Sequence, residues 1–95
     1  MTKQRQTTES QLEVFKALAD PIRLEMIHYL NGLDQAVSCG EIGQAMHISK
    51  TSGSYHFKIL QEAGLIMVQK VAREKYVKLD RSTFDEYLTH FWQNI

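Results

Sequence analysis

Residues 48–65 form the stretch that most constrains how this chain can fold. At about 100° per residue, Gly53, Phe57 and Leu60 fall on one side of a helix. Within residues 48–65, no acidic residue precedes Glu62. Surface helices ordinarily mix Glu and Lys on their outer face, so the pattern predicts an amphipathic helix with an unusual polar side. That side carries hydroxyl, phenol and ammonium groups, contributed by Thr51, Ser54, Tyr55 and Lys58.

Both ends of this predicted helix are marked by residues that cap helices. Ser49 can accept a hydrogen bond from the free N–H groups at the start, and Gly64 can adopt the left-handed conformation that ends a helix. A helix over residues 49–63 with short donors, acceptors and cations outside has the groups needed in the major groove of DNA. The alternative interpretation is an ordinary solvated face.

The length and composition of the chain predict one small domain. Its 95 residues, 43% of them hydrophobic, can bury a modest core. There is no run of about 18 apolar residues, so no membrane span is expected. There is also no apolar stretch near the N-terminus, so no signal peptide is expected. The single cysteine cannot form an internal disulfide, which favours a reducing, cytoplasmic location.

The formal net charge is zero, but the charges are unevenly distributed along the chain. Residues 1–46 hold four Lys and Arg against six Asp and Glu, residues 47–79 hold six against two, and residues 80–95 hold one against three. The cationic excess therefore coincides with the amphipathic helix and the segment after it. A basic stripe on a neutral body is typical of a surface that contacts phosphates.

Three shorter helices are predicted before the amphipathic one. Residues 1–8 are polar and are expected to be disordered. Ser10 and Glu13 form a capping box that starts the first helix. Asp20 is a good N-cap for a second helix, and Pro21 suits its first position because the missing N–H has no partner there.

The second helix is predicted over residues 22–30, with Gly32 after its end. Arg23 on this helix is interpreted as a solvated or ion-paired surface residue, with a phosphate contact as the alternative. Ser38 and Glu41 form another capping box, which opens a short third helix. A tight turn then leads into the amphipathic helix, so this pair predicts a helix-turn-helix.

The period of the pattern changes after the amphipathic helix. Residues 65–70 and 75–79 are predicted to be strands joined by residues 71–74, and a hairpin in this position is a wing. Arg73 and Lys75, at or near its tip, can reach a phosphate or a narrow minor groove. Charges on such a hairpin can equally serve to block edge-to-edge aggregation, and for Lys75 the two interpretations stay open.

A last helix, capped by Ser82, carries an apolar stripe that includes the only Trp. So much aromatic surface at the end of a small domain favours a subunit interface, with help from the first helix, over packing in its own core. The predicted dimer-interface residues are Leu12, Phe15, Phe84, Tyr87, Leu88, Phe91, Trp92 and Ile95.

The expected fold is mainly α with a small β-hairpin, in the order α-α-α-α-β-β-α, over residues 9–95. This order resembles the ArsR/SmtB-type winged helix-turn-helix repressors of bacteria. Residues 15–24, FKALADPIRL, are similar to the family's opening F-x-A-L-A-D-P-x-R-L. Residues 49–65 are similar to its recognition segment S-x-x-x-x-S-x-H-[LF]-x-x-L-x-x-A-G-L. The likeness covers about residues 12–92.

The resemblance implies a homodimer, joined through its first and last helices, that binds double-stranded DNA at an imperfect palindrome. Tyr55 stands where relatives often have His or Arg, so the base that is read does not follow from the family. The residues expected to face base edges are Thr51, Ser52, Ser54 and Tyr55. The residues expected near the DNA backbone are Lys50, His56 and Lys58. The predicted DNA-binding set also includes Ser49, Arg73 and Lys75.

The chain departs from the metal sites of this family. Ser38 and Gly40 stand at the two Cys positions of the C-x-C-[DE]-[LI] site, and Tyr87 stands at the first His of the last-helix site. Because a zinc or arsenite site needs three or four converging ligands, no metal and no cofactor are expected. Two alternatives involving Cys39 stay open: a metal site completed by a His of a second subunit, and an oxidation sensor formed by two Cys39 thiols.

Two other classes of function compete with that of a transcriptional repressor. A winged-helix module that docks proteins without binding DNA is the alternative, although such modules usually lose the cations that this chain keeps. An enzyme is not expected, because no nucleophile–base pair, converging carboxylates or glycine-rich phosphate loop can be argued. The sequence does not identify an effector, so an effector of unknown chemistry is left open.

Overall fold

A computed structural model of the chain describes residues 6–94. Five helices and three strands make up most of it, and two further helical turns follow the fifth helix. The elements are α1 (Thr8–Leu18), α2 (Pro21–Asn31), β1 (Val37–Ser38), α3 (Cys39–Met46), α4 (Lys50–Glu62), β2 (Ile66–Val71), β3 (Glu74–Leu79) and α5 (Arg81–Phe84), then a π-helical turn (Asp85–Thr89) and a 3₁₀ turn (Phe91–Asn94).

Three of the predicted helix starts are confirmed by side-chain caps. Asp20, Ser38 and Ser49 each accept a hydrogen bond from a backbone N–H in the first turn of α2, α3 and α4. The predicted start of α1 is wrong, because Thr7 rather than Ser10 caps it and accepts from the N–H of Ser10. The helix therefore includes Thr8, and Gln6 and Thr7 precede it. Residues 1–5 lie outside the described part.

A three-stranded antiparallel sheet has the order β1-β3-β2. The wing hairpin is confirmed, with a tighter connection than expected: Val71 pairs with Glu74, which leaves a two-residue turn with Ala72 at a φ of 56°. Strand β1 was not predicted. It pairs with the far side of β3 through Val37 and Val77, and its two residues are too few to show an alternating pattern.

The core lies where α1, α2, α3 and α4 meet the sheet. Met26, Ile42, Leu60, Leu65 and Val77 are completely or almost completely inaccessible to solvent. They come from α2, α3, α4, β3 and, for Leu65, the short segment between α4 and β2, so the orientation of α4 is fixed from several sides. Burying each such side chain contributes about 1.5–3 kcal/mol relative to leaving it exposed.

The last predicted helix is not one continuous α-helix. Its cap is Asp80, which accepts from the N–H of Thr83, and not Ser82, whose hydroxyl donates to Asp80 at 2.6 Å. The chain changes to π-helical geometry at Asp85 and leaves helical geometry at His90, where φ is −106° and ψ is 31°. Because a π turn takes more residues per turn, the apolar residues no longer form the straight stripe that 3.6-residue spacing predicts.

Candidate nucleic-acid interface

The turn between α3 and α4 is built by the backbone. His47 adopts a left-handed conformation with φ of 56°, which His tolerates better than most residues. The N–H of His47 donates to Gln44 O and the N–H of Ile48 donates to Gly43 O, which is the hydrogen-bond pattern of a Schellman motif. Ile48 then lies over Gly53 of α4, with its Cδ1 about 3.5 Å from where a Cβ would stand.

Helix α4 buries the side that the sequence predicts and exposes the other. Gly53, Phe57 and Leu60 face the core. The polar side is open to solvent and includes Tyr55, which is 61% exposed although it is a large aromatic residue. Exposed residues of this side are Ser49, Lys50, Thr51, Ser54, Tyr55 and Lys58, and Ser52 is half-buried. The end of α4 is closed by Gly64 at a φ of 79°, as predicted.

The prediction that His56 lies near a DNA backbone is wrong. Its side chain is only 6% exposed and faces the start of α2. Its Nδ1 lies 3.1 Å from Nη1 of Arg23 and 3.9 Å from Oδ2 of Asp20. His56 follows Tyr55 by one step of about 100°, and this step carries it from the outer face into the protein.

Both interpretations of Arg23 are also wrong, since it is neither a solvated residue nor free to contact a phosphate. It is 9% exposed, and its Nε and Nη2 donate to the carbonyls of Ala17 and Lys16 at the end of α1, at 2.7 and 3.3 Å. The backbone N–H of Arg23 donates to Asp20 and holds the pKa of that carboxyl below its usual value, although desolvation acts in the opposite direction. Three helices therefore meet at Arg23.

The wing brings its cations beside α4. A groove of about 1120 Å³ runs between the helix-turn-helix and the hairpin, and among the described residues that line it Glu74 is the one acidic residue. Lys70 and Lys75 pair directly across the two strands and both line this groove. Five cations border it: Lys50, Lys58, Lys70, Arg73 and Lys75.

Several residues that line this groove are absent from the sequence-based set, and Lys70 and Gln44 illustrate two different reasons. Lys70 had a signal, because the predicted hairpin register places it opposite Lys75. Gln44 had no such signal in the sequence, because it belongs to α3 and reaches the groove only through the packing of α3 on α4.

Some of the predicted dimer-interface residues pack inside their own chain, and others are exposed to solvent. Phe84 and Tyr87 pack against the core of their own chain, which the prediction of an interface role did not foresee. Phe91 contacts Phe15 of α1, with ring centroids 5.8 Å apart in an edge-to-face arrangement. The exposed members are Leu12, Phe15, Leu88 and Trp92, at 47%, 38%, 38% and 83% exposure. Ile95 lies outside the described residues.

Cys39, at the start of α3, is half-buried and unpaired among residues 6–94. Burial raises the pKa of its thiol, and nearby Lys75 opposes that rise. Within the same residues, no three His, Cys, Asp or Glu side chains are grouped so that they could hold a metal ion. No helix in this part of the chain is long and apolar enough to cross a membrane.

The arrangement of α3, turn, α4 and a cation-bearing hairpin defines a winged helix-turn-helix domain of the DNA-binding class. Comparison with known families supports this class, since a helix-turn-helix domain family matches residues 18–69.

The chain is 42% identical over 95 residues to the uncharacterized HTH-type transcriptional regulator YceK of Bacillus subtilis, covering 100% of this chain and 95% of that one. It is 33% identical over 73 residues to the transcriptional repressor SdpR of the same bacterium, covering 77% and 79%. The chain belongs to the ArsR/SmtB family of winged helix-turn-helix transcriptional regulators, and it is a DNA-binding regulator.

Among solved structures, the fold is similar to that of Mb0332 from Mycobacterium bovis, a possible ArsR-family regulator whose winged helix-turn-helix domain is homodimeric. The TM-score is 0.74, with 19% identity and coverage of 90% of this chain and 78% of that one. At this identity the likeness concerns the fold.

Proposed function

We propose that the protein is a homodimeric repressor that binds a palindromic operator, with α4 in the major groove and the wing of β2 and β3 on the flanking phosphates. The observation that carries this proposal is the Lys70–Lys75 pair. Like charges directly opposite each other destabilise a hairpin. A polyanion laid along the groove would turn this cost into attraction, and DNA is such a polyanion.

The exposed side of α4 supports contact with bases rather than with phosphates alone. Thr51 and Ser54 offer short donors and acceptors, and Tyr55 projects a phenol beyond them. Groups of these kinds can read the donor and acceptor pattern of the major groove. Lys50 and Lys58 on the same helix, together with Arg73 on the wing, are placed in this proposal on the sugar-phosphate backbone.

The dimer is proposed from the apolar patch formed by α1 and the terminal turns. Trp92 is 83% exposed, and the Phe15–Phe91 contact joins the two elements into one surface that also holds Leu12 and Leu88. Large aromatic residues are enriched at interfaces and are rarely left so open on a monomer. The homodimeric domain of Mb0332 provides a precedent in the same fold.

A selection experiment tests this function without knowledge of the operator. The full chain is used to enrich duplexes from a random library, and the affinity of the best duplex is then measured against salt concentration. We expect two half-sites with centres about 10–11 base pairs apart, or a multiple of that, and an affinity that falls steeply with salt. No enrichment, or salt-independent binding, would instead favour the protein-docking alternative.

Cytoplasmic location, the regulated operon and an effector of unknown chemistry belong to the same proposal. Access to chromosomal DNA requires a cytoplasmic protein in a bacterium, which agrees with a half-buried free thiol. The two Cys39 alternatives remain hypotheses about that effector. Measuring operator affinity with Zn²⁺, with a thiol oxidant and with a chelator present separates them.

A further inference from the structure

We infer that Arg23 and His56 are positioning residues for operator binding, and that they hold the reading helix in place only while Nδ1 of His56 carries no proton. This inference rests on the DNA-binding function proposed above. The pair lies away from the exposed DNA face and would contact no base. Its action would be to fix the orientation of α4 relative to the helices behind it.

The chemistry of the two side chains determines where the proton is. A guanidinium has only donors, so the 3.1 Å contact between Arg23 Nη1 and His56 Nδ1 requires the imidazole nitrogen to accept. The neutral ring therefore carries its proton on Nε2. A second proton, on Nδ1, would remove the acceptor and leave two cations at hydrogen-bond distance.

Burial makes that loss costly, because little water can replace the bond. His56 is 6% exposed and Arg23 is 9% exposed. The charged and titratable side chains that the structure places against His56 are Asp20 and Arg23 from α2 and Tyr55 from its own helix. Helix α1 contributes backbone carbonyls only, and these accept from Arg23.

Asp20 gives the protonated ring another partner. Its Oδ2 lies 3.9 Å from His56 Nδ1, which is too long for a hydrogen bond but close enough to attract an imidazolium. Closing that gap by about 1 Å would form a charged bond to Asp20 and break the bond to Arg23. Protonation would thus exchange one partner for the other and shift the ring.

Such a shift would be transmitted to both functional surfaces. The ring of His56 touches the ring of Tyr55, with centroids 5.1 Å apart, and Tyr55 lies on the proposed DNA face. On the other side, Arg23 is bonded to the end of α1, whose exposed residues form the proposed dimer patch. Because a dimer must match the spacing of two half-sites, the angle between α1 and α4 directly affects operator affinity.

The test compares the pH profile of operator binding between wild type and His56→Asn. The Asn side chain places an oxygen near the position of Nδ1, so it can accept from Arg23 but cannot take up a proton. The probe is the best duplex from the selection described above, at constant salt from about pH 8 to about pH 5.5, the range in which imidazoles titrate. His28→Asn, at an exposed position of α2, is the matched control.

As pH falls over this range, we expect the Kd of wild type and of His28→Asn to rise. This rise should exceed the rise in the Kd of His56→Asn by a factor of about five or more. Effects of pH on binding that do not involve His56 are common to the three proteins and cancel in this comparison. Equal profiles in wild type and His56→Asn would overturn the inference. Absence of any bound duplex at pH 8 would instead overturn the proposed function.

A second measurement covers the case in which His56→Asn does not fold. In the wild-type protein bound to the duplex at about pH 8, the nitrogen NMR shifts of His56 should show a proton on Nε2 and none on Nδ1. Lowering the pH should protonate Nδ1 together with release of the duplex. A proton on Nδ1 in the tightly bound complex would contradict the inference.

Discussion

Tyr55 and His56 are neighbours in the sequence, yet one is 61% exposed and the other is 6% exposed. The same step along α4 separates a side chain that can reach a base from one that secures the helix. The hydroxyls of Thr51 and Ser54 share the exposed side with Tyr55 and Lys58. At the scale of single residues, the proposed contacts with DNA come from side chains that α4 leaves exposed, within the described part of the chain.

Replacing Lys58 with Ala should weaken binding to every duplex by a similar factor, because a phosphate contact carries no sequence information. The slope of log affinity against log salt should decrease by about one. Fluorescence anisotropy at several salt concentrations measures both quantities. Lys16→Ala, which removes a cation from α1, should leave the slope unchanged, and an unchanged slope in Lys58→Ala would place Lys58 off the DNA.

Tyr55→Ala should alter the preference among operator variants by about 1–3 kcal/mol at one position in each half-site. Competition binding with a panel of single-base substitutions identifies that position. Tyr55→Phe keeps the ring and removes the hydroxyl, so it separates a hydrogen bond from stacking. If both variants rank the panel as wild type does, the exposed side of α4 does not face the bases.

Among the elements, the wing and the terminal helical segment show how local geometry adjusts to packing. The two-residue wing turn requires Ala72 at a positive φ, which costs energy for any residue except glycine. Phe84 at the end of α5 and Tyr87 in the π-helical turn pack against the core of their own chain, whereas Trp92 in the following turn stays exposed. The segment thus belongs partly to the domain and partly to the proposed interface.

The cap of this segment gives a pH-dependent prediction. The hydroxyl of Ser82 donates to Asp80 and is the main reason that the pKa of Asp80 is lowered from its ordinary value of 3.8. A depressed carboxyl pKa means that ionised Asp80 stabilises the fold above that ordinary value. This contribution is lost as pH falls through the lower pKa of the folded state.

Asp80→Ala should therefore lower the free energy of unfolding by about 1 kcal/mol near neutral pH. The difference from wild type should begin to shrink as pH falls below about 4, and it should continue to shrink through the lower pKa of folded Asp80, where the cap loses its charge. Urea unfolding near neutral pH and at low pH, followed by far-UV circular dichroism, measures this difference in the free energy of unfolding. Asp80→Asn keeps a side-chain acceptor and should cost less, whereas an Asp80→Ala protein as stable as wild type would show that the cap contributes nothing.

At the scale of the whole molecule, the two proposed surfaces lie on different elements and are connected through Arg23. The DNA surface uses α4 and the wing, and the dimer patch uses α1 and the terminal turns. Arg23 bonds to the end of α1 and to His56 of α4, so the domain has a direct polar link between them. A rigid link suits a regulator whose two copies must fit one operator.

Trp92→Ala should weaken the dimer by about 2 kcal/mol or more, since large aromatic residues at the centre of an interface dominate its energy. That value corresponds to about a 30-fold higher dissociation constant. Sedimentation equilibrium measures it, and operator binding at low protein concentration should fall in parallel. Met67→Ala removes an exposed apolar side chain from the wing and should leave association unchanged. A Trp92→Ala protein that dimerises like wild type would remove the proposed interface.

Local chemistry in the sequence was sufficient to predict α2, α3, α4 and the wing. Caps at Asp20, Ser38 and Ser49 and the left-handed Gly64 act within one helical turn, so their effect can be read from neighbouring residues. The apolar side of α4 follows from periodicity alone. Family membership also followed from two short motifs, because these residues combine local signals with a fixed spacing.

Only the tertiary structure decided the roles of Arg23, His56 and β1, and the division of the terminal aromatic residues. Arg23 and His56 are 33 positions apart, and both are polar residues that usually lie at the surface. Their burial depends on the end of α1 and the start of α2 meeting the middle of α4, which no local pattern encodes. In the same way, Val37 becomes a strand residue only because β3 presents a free edge to it. Such contacts between distant residues depend on how whole elements pack, and that arrangement is a property of the folded chain.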